Sequence, residues 1–178
     1  TTNINTITDL NIAGNGSYNI SDLTGIEDFT ALDDLRCYSN QLTNLDLTTN
    51  TALTFLDCSD NQLTILDVSN NSALTFLTCR FTELTSLDVS NNTALTELHC
   101  GFNQLTSLDI SNNSSLNWLG CEANQLTSLN LRNGNNTNMS PIATGNNQLY
   151  CIEVDDATWS TANWTNIDPQ HYFSEDCP

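Results

Sequence analysis

The sequence predicts a mostly β solenoid of the α/β class, in which a short unit coils repeatedly and its copies stack on one another. Two observations lead to this prediction. A cysteine recurs every 21 residues, at Cys37, Cys58, Cys79, Cys100 and Cys121. The residues around each cysteine follow the pattern LxxLxCxxNxLxxLDxS. A unit of this length cannot close a hydrophobic core alone, so we expect the copies to stack and share one.

The composition suits one domain and excludes two classes of partner. The chain has 178 residues, of which 38 % are hydrophobic and only 13 % charged. It carries 21 acidic residues against three basic ones, a formal charge of -18. This balance excludes binding of nucleic acid or anionic lipid through a basic surface. No apolar run reaches the roughly 20 residues of a membrane span, so we expect no membrane insertion.

The first half of each unit, LxxLxC, alternates as a strand does, and neighbouring units should pair as a parallel sheet. Less similar copies of the unit occur before and after the five that carry a ladder cysteine. We place a first unit and a last unit on the same pattern, at Ile7, Leu10, Ile12 and Asn15 and at Met139, Ile142, Thr144 and Asn147. This register predicts seven strands and a solenoid domain over residues 1–150, with its first unit starting at residue 7.

An asparagine follows the strand in most units, at Asn40, Asn61, Asn103 and Asn124. A buried side-chain amide at a turn can satisfy backbone groups of its own unit and of the adjacent one. The fourth unit has Thr82 at this position. We therefore expect a looser turn there.

Two cysteines lie outside the ladder of repeats. With Thr144 in the ladder position of the last unit, Cys151 falls at the outward position equivalent to Ser128. Cys177 is the one other cysteine off the ladder, so we predict a Cys151–Cys177 disulfide. It would fasten residues 151–178 over the open end of the solenoid as a C-terminal cap. Such a bridge indicates an oxidising, extracellular compartment.

A short helix is expected inside this cap. Asp155 or Asp156 could serve as its N-cap, with the helix running through Trp159.

The repeat resembles the leucine-rich repeat family, in particular a short bacterial class with 21-residue units whose second half reads LxxLDL. The tail resembles the C-terminal cap of secreted leucine-rich-repeat proteins from Bacteroidetes. The resemblance covers about residues 7–154. It implies a right-handed superhelix with a concave parallel sheet, a protein that is secreted or held at the cell surface, and protein binding as the commonest use of the fold.

The outward strand positions differ from unit to unit, whereas the second half of the unit hardly varies. These positions would line the concave sheet and expose large aromatic side chains, which marks interaction sites. We predict that the ligand-binding residues are Tyr38, Phe55, Phe76, Arg80, Phe81, His99, Phe102, Trp118 and Glu122.

Two glycines on this face, Gly101 and Gly120, should open a depression walled by Arg80, Phe81, His99, Phe102, Trp118 and Glu122. The alternative is that the rings only stack as adjacent rungs and stabilise the sheet. We favour recognition, because stacked rungs would not also need two of the scarce arginines. Arg36 is the weaker member, since Asp57 lies beside it in the same column and an ion pair is equally expected.

Two kinds of partner suit such a face. A protein would use the aromatic and arginine side chains as hot spots. A polysaccharide would stack its sugar rings on the aromatic side chains and bond its hydroxyls to the polar ones. We predict a non-catalytic extracellular module that binds a protein, with carbohydrate binding as the alternative. We expect a monomer, or a weak dimer formed through the exposed edge of the first strand.

The sequence gives no support for an enzyme, a metal site or a cofactor. It contains no GxSxG, HExxH or phosphate-binding glycine loop. Strand geometry puts Glu97 and Glu122 roughly 14 Å apart, beyond the roughly 5–9.5 Å between glycosidase carboxylates. The ladder cysteines should form a buried apolar column without tetrahedral convergence.

An outward acidic column has two possible explanations. It consists of Asp46, Asp67, Asp88 and Asp109. Calcium could bridge the stacked carboxylates, but each level offers one carboxylate where calcium takes 6 to 8 oxygens. We favour Asx-like turns, in which each aspartate bonds to the residue two places on.

Overall fold

The structure, a computed structural model, describes residues 4–14 and 19–178. Seven short strands form one parallel sheet in chain order, as predicted. They are β1 (Asp9–Asn11), β2 (Asp34–Arg36), β3 (Phe55–Asp57), β4 (Phe76–Thr78), β5 (Glu97–His99), β7 (Trp118–Gly120) and β9 (Ser140–Ile142). Asn15, assigned to the first unit, lies outside the described residues.

The second half of the unit forms strands only in the later coils. They contribute β6 (Ser107–Asp109), β8 (Ser128–Asn130) and β10 (Cys151–Glu153) to a second parallel sheet, which β11 (Tyr172–Ser174) of the C-terminal tail completes. The order in this sheet is β11, β10, β8, β6. Short 3₁₀ turns occur at Ile4–Thr6, Ile26–Asp28 and Asn136–Asn138, and the described chain has one α-helix, α1 (Ala157–Asn163). The fold is a mostly β parallel solenoid.

The leucines and cysteines of successive coils fill one continuous core. The five ladder cysteines are fully buried and unpaired among the described residues. Burial raises the pKa of the Cys37, Cys79 and Cys121 thiols to about 12. It also raises the pKa values of Cys58 and Cys100 well above the ordinary thiol value. The thiolate, which is the nucleophile and the metal ligand, is therefore suppressed along the column.

Each turn asparagine bonds across two coils, as predicted. Asn61 donates from Nδ2 to the carbonyl oxygens of Cys58 and Cys37, both at 3.0 Å. Its Oδ1 accepts from the amide of Leu42 at 2.9 Å. One side chain thus satisfies buried backbone groups of its own coil and of the preceding coil, which holds the two coils in register.

The looser turn expected at Thr82 is not found. Its hydroxyl is buried, 3.0 Å from the Cys79 carbonyl oxygen and 2.6 Å from Asn103 Oδ1. The preceding residue, Phe81, has φ of 52°, within the range of 52–58° found at this position in the neighbouring coils. The hydroxyl is long enough to hold the turn, although it lacks the amide oxygen that asparagine offers.

The last unit lies one residue earlier than we predicted. Strand β9 pairs Trp118 with Ser140 and Leu119 with Pro141. Ala143 therefore takes the ladder position, fully buried, instead of Thr144. The turn amide comes from Asn146 instead of Asn147; it bonds to the carbonyl oxygens of Ala143 and Cys121 at 2.9 and 3.1 Å.

Two conformational preferences account for this shift in register. Gly145 takes the left-handed position of the turn, with φ of 77°, which glycine adopts without strain. Pro141 is inward on the last strand of its sheet, where the missing N–H would face no further strand. We overlooked both residues in placing the unit.

The C-terminal cap is fastened by the predicted disulfide. Cys151 and Cys177 are bonded, with their Cα atoms 5.9 Å apart. Strand β10 places Cys151 beside Ser128 in register, the outward position that we predicted. The helix α1 is N-capped by Asp156, whose Oδ1 accepts from the amide of Trp159 at 2.8 Å. Of the two candidates, Asp156 is therefore the cap.

The structure also shows a second buried asparagine column that the sequence analysis missed. It consists of Asn50, Asn71, Asn92 and Asn113, all fully buried. Asn92, for example, donates to the carbonyl oxygens of Val68 and Asn71. The spacing of 21 residues could have identified this column.

Candidate functional site

The outer face of the seven-stranded sheet carries most of the predicted binding residues. Each strand presents its first and third residues outward and buries the second, as in the half-buried, buried, half-buried pattern of β3. Because the strands are parallel and in register, equivalent residues stack in columns. The turn that follows each strand adds two more outward positions. We call this surface the sheet face.

Phe81 and Phe102 project from the turns of adjacent coils and stack on each other. Their ring centroids are 4.3 Å apart and the rings are within 18° of parallel. Both nevertheless remain exposed, at 49 % and 40 %. Their φ angles are 52° and 58°, in the left-handed region that costs an ordinary residue about 1–2 kcal/mol. Two large rings therefore stand on a strained backbone and face solvent.

Arg80 lies against both rings and pairs with an acid two coils away. Its guanidinium carbon is 5.3 Å from each of the two phenylalanine ring centroids. Its Nη2 donates to Glu122 Oε1 at 2.7 Å. The Glu122 side chain is only 17 % exposed and lies over Gly101, where an added Cβ would approach the carboxyl carbon to 2.7 Å.

The prediction of an open depression at Gly101 and Gly120 is therefore wrong. The Glu122 carboxylate fills that space, because the glycines leave room for it to reach Arg80. This ion pair is incompletely satisfied, since Arg80 Nε and Glu122 Oε2 are both buried and have no hydrogen-bond partner among the described residues. An unpaired buried polar group costs about 1–3 kcal/mol, so the pair is less stable than its short distance suggests.

A second row of rings runs across the strands of the sheet. Phe55 and Phe76 stack with centroids 4.4 Å apart and planes within 3°. His99 continues the row, 5.5 Å from Phe76 and 6.3 Å from Trp118. Trp118 is 38 % exposed, while the other three members are half-buried. The contacts expected of stacked rungs are thus present, and Trp118 is the member of the row most open to solvent.

Arg36 closes one end of this row but does not pair with Asp57 as we expected. It forms two hydrogen bonds to Asp34 of its own strand, at 3.0 and 2.8 Å. The hydrogen bond and the charge of Asp34 raise the pKa of Arg36. Its guanidinium carbon also lies 4.7 Å from the Phe55 ring centroid. The residue two places back on the same strand is within easier reach than the adjacent rung.

Tyr38 is half-buried in the second coil, away from the cluster of Arg80 and its rings. None of the ring pairs found in the described chain includes it. The structure thus divides the predicted site residues into two groups, the Phe81–Phe102–Arg80–Glu122 cluster and the Phe55–Phe76–His99–Trp118 row, with Tyr38 outside both.

The acidic column forms Asx-like turns. The amides of Thr48, Ser69, Ser90 and Ser111 each donate to the aspartate two residues before, at 2.8–3.0 Å. Hydrogen bonds from the hydroxyl and amide of the partner lower the pKa values of Asp46, Asp67 and Asp88. Within residues 4–14 and 19–178, no group of three or more His, Cys, Asp or Glu is arranged to hold a metal ion.

In the described ranges, none of the helices has the length and apolar character needed to cross a bilayer.

One family model and several solved structures are similar to this chain. A family model of the LVIVD repeat matches residues 57–79 and 101–121, each stretch about one coil long. None of the curated proteins matches the chain in sequence.

Three solved structures illustrate the similarity. The functional domain of InlJ from Listeria monocytogenes, described as including a cysteine ladder, is 31 % identical with a TM-score of 0.72; the match covers 94 % of this chain and 38 % of that one. An internalin C2 of the same organism is 19 % identical over 96 % of this chain and 81 % of its own, with a TM-score of 0.58. A leucine-rich-repeat protein of Leptospira interrogans is 19 % identical over 88 % of this chain and 40 % of its own, with a TM-score of 0.60.

The chain thus spans well under half the length of the InlJ domain that it matches. The two matches at 19 % identity concern the fold alone. The structural similarity concerns the solenoid fold, and the InlJ domain is described as including a cysteine ladder. In fold, this chain is a leucine-rich-repeat solenoid similar to these proteins.

Proposed function

We propose that the chain is a non-catalytic extracellular recognition module that binds a protein partner through the sheet face. The observation that carries this proposal is the cluster of Phe81, Phe102 and Arg80. Two stacked rings on strained turns remain 49 % and 40 % exposed, with a guanidinium against both. Aromatic residues and arginine supply most hot spots of protein interfaces.

The leucine-rich-repeat fold supports a protein partner over other ligand classes. Its neighbours include internalins and other leucine-rich-repeat proteins. A solenoid offers a long, rigid face built from short strands, and such surfaces serve as extended binding sites. The stacked rings are held by their neighbours, so little side-chain freedom would be lost on binding.

A polysaccharide is the alternative ligand, favoured by the continuous row from Phe55 to Trp118. Sugar faces stack on aromatic rings, and a row along the sheet matches a linear chain. This row and the Phe81–Phe102 cluster lie on the same face. The experiment below separates the two classes.

The disulfide supports an extracellular location, since structural disulfides persist in oxidising compartments. The 21-residue period and the cap support placing the chain with the short bacterial class of secreted leucine-rich-repeat proteins, as in Bacteroidetes. We further propose that residues 151–178 serve as its C-terminal cap and residues 1–150 as the solenoid.

The test is capture of ligands from surface extracts of bacterial and animal cells on immobilised protein. The variant Phe81→Ala/Phe102→Ala should lose the captured ligand. Ile65→Ala is the matched control, because Ile65 is 75 % exposed but lies outside the seven-stranded sheet. Thermal melting checks that the variants are folded.

Two treatments of the extract identify the ligand class. Protease digestion should abolish capture if the ligand is a protein, whereas periodate oxidation should abolish it if the ligand is a glycan. Capture that survives in the double alanine variant would contradict the proposed binding face. Capture that resists protease and is lost after periodate would favour the polysaccharide.

A further inference from the structure

We infer that the surface around Glu97 binds an arginine side chain of the protein partner. Glu97 lies between Phe76 and Trp118 on the adjacent rungs of the sheet, with His99 beside it on the same strand. This inference rests on the proposed function and specifies the chemistry of its partner.

The chain itself twice shows how this face holds a guanidinium. Arg36 forms two hydrogen bonds to Asp34 while lying 4.7 Å from the Phe55 ring centroid. The same combination of a carboxylate and an aromatic ring recurs around Arg80.

In the second example, Arg80 bonds to Glu122 at 2.7 Å while lying 5.3 Å from the ring centroids of Phe81 and Phe102. In both cases a carboxylate supplies charge-assisted hydrogen bonds and an aromatic face covers the planar group.

Glu97 is likewise a carboxylate with aromatic neighbours. Its register partners are Phe76 and Trp118, one strand away on either side at the strand spacing of about 4.8 Å, and their rings also lie 5.5 and 6.3 Å from the His99 ring. Its side chain is 49 % exposed, so the carboxylate is accessible from solvent. The structure gives it one charged or ionisable neighbour, His99, whose Nε2 is 3.5 Å away, a long and weak contact.

No arginine or lysine of the chain itself is left to pair with Glu97. The chain has three lysines and arginines in total, and each is committed to another acid. Arg36 pairs with Asp34, Arg80 with Glu122 and Arg132 with Glu153. The cation that suits Glu97 must therefore come from a partner, and the formal charge of -18 would attract a basic one.

Arginine fits this site better than lysine. Its planar guanidinium can bond a carboxylate through two parallel N–H groups and stack on a ring at the same time. The lysine ammonium is a more strongly hydrated point charge without a flat face.

The direct test is a titration of the ¹⁵N-labelled chain with acetyl-Gly-Arg-Gly-amide at 0.15 M salt, followed by NMR. At this ionic strength charges farther apart than about 8 Å are screened, whereas a contact pair persists. We expect saturable shifts at the Trp118 indole N–H and in β5. The matching citrulline peptide, which has nearly the same shape but no charge, should bind at least fivefold more weakly, and the lysine peptide also more weakly.

Variants locate the binding. Glu97→Gln should weaken binding of the arginine peptide at least fivefold, and Trp118→Ala about threefold. Glu83→Gln removes the same charge from an exposed position outside the seven-stranded sheet and should change the affinity less than twofold. Equal losses in the two glutamine variants, equal binding of the citrulline peptide, or the absence of shifts at Trp118 and β5 would each overturn the inference.

The capture experiment separates this inference from the proposed function. Capture that is lost in Phe81→Ala/Phe102→Ala but intact in Glu97→Gln would leave the binding face standing and contradict the role of Glu97. Arginine-peptide binding that depends on Glu97, together with capture that ignores the phenylalanines, would support the arginine site and contradict the proposed binding cluster.

Discussion

The turn position after each strand holds the coils together one side chain at a time. Asn61 bonds two buried carbonyl oxygens and one amide, whereas Thr82 has no amide oxygen to offer the backbone. By analogy with the pair of Asn61 and Leu42, the missing acceptor would face the amide of Leu63. The fourth turn keeps its shape but has lost part of its bonding.

We therefore predict opposite effects for two exchanges at this position. Asn61→Thr should lower the free energy of unfolding by about 2 kcal/mol, because it leaves buried backbone groups unpaired. Thr82→Asn should raise it by about 1 kcal/mol by adding the absent acceptor. Urea unfolding followed by circular dichroism measures both. A Thr82→Asn variant no more stable than the parent would mean that the missing acceptor for the Leu63 amide does not reduce stability.

The left-handed turn residues differ in what they contribute. Gly145 meets the conformation without strain, whereas Phe81 and Phe102 do not. Glycine and residues with small polar side chains suit this position better, and Ser39 and Asp60 occupy it in the earlier coils. The two phenylalanines thus offer the turn no conformational advantage, which supports the proposal that their exposed rings bind a partner.

At the scale of elements, the C-terminal cap supplies hydrogen-bond partners for the backbone groups that the last strand would otherwise leave unpaired. The amide of Ala143 points away from the sheet and donates to the carbonyl oxygen of Asn166 at 3.0 Å. Asp168 accepts from the amides of Gly145 and Asn146, both at 3.0 Å. Trp164 donates from Nε1 to the carbonyl oxygen of Met139. Backbone groups at the C-terminal edge are therefore paired instead of presenting a bare strand.

The disulfide should stabilise this cap by restricting the unfolded chain. It closes a loop with a sequence separation of 26, for which chain entropy gives about 3.5 kcal/mol. The variant Cys151→Ser/Cys177→Ser should lose roughly this amount in urea unfolding. The parent with reducing agent should show the same loss, and the reductant should not affect the variant. A double serine variant as stable as the parent would mean that strand β11 and the tryptophans suffice to hold the cap.

At the scale of the whole molecule, the charge is so one-sided that electrostatics should govern its solution behaviour. Each of the three arginines is paired with an acid, which leaves the remaining acids to repel one another. The stacked carboxylates of the Asx-like turns add to this repulsion along one side. Such a surface should favour basic partners and bind them faster at low ionic strength.

We predict that stability falls as the pH drops below about 4. Asp46, Asp67 and Asp88 have folded-state pKa values below the ordinary 3.8, owing to hydrogen bonds from the hydroxyl and amide two residues on. Their contribution is complete above the unfolded pKa and is lost as the pH falls through the folded one. Melting in 0.5 M NaCl isolates this effect, since salt screens the general repulsion that acid also relieves.

The matched variant replaces these three aspartates by asparagines, whose side-chain oxygens still accept hydrogen bonds but do not titrate. Its melting temperature should depend less steeply on pH below 4. An unchanged slope would place the acid sensitivity elsewhere in the chain.

The sequence alone determined the period, the seven strands of the larger sheet, the buried leucine and cysteine columns and the Cys151–Cys177 pair. These features can be predicted because the coils stack in register. Each coil repeats the contacts of its neighbour, so the residue pattern of one coil predicts the contacts of the others. The prediction failed at the last unit, where a change in repeat length left the register to Pro141 and Gly145.

Only the tertiary structure decided how the outward side chains meet. Glu122 reaches Arg80 across an intervening coil, and Arg36 turns to Asp34 instead of Asp57. These choices depend on side-chain length and on the space left by Gly101, which the one-dimensional pattern does not contain. The repeat determines the position of each Cα atom. The contacts of the long, flexible side chains depend on the three-dimensional space around them. The surroundings of Glu97 depend on these contacts.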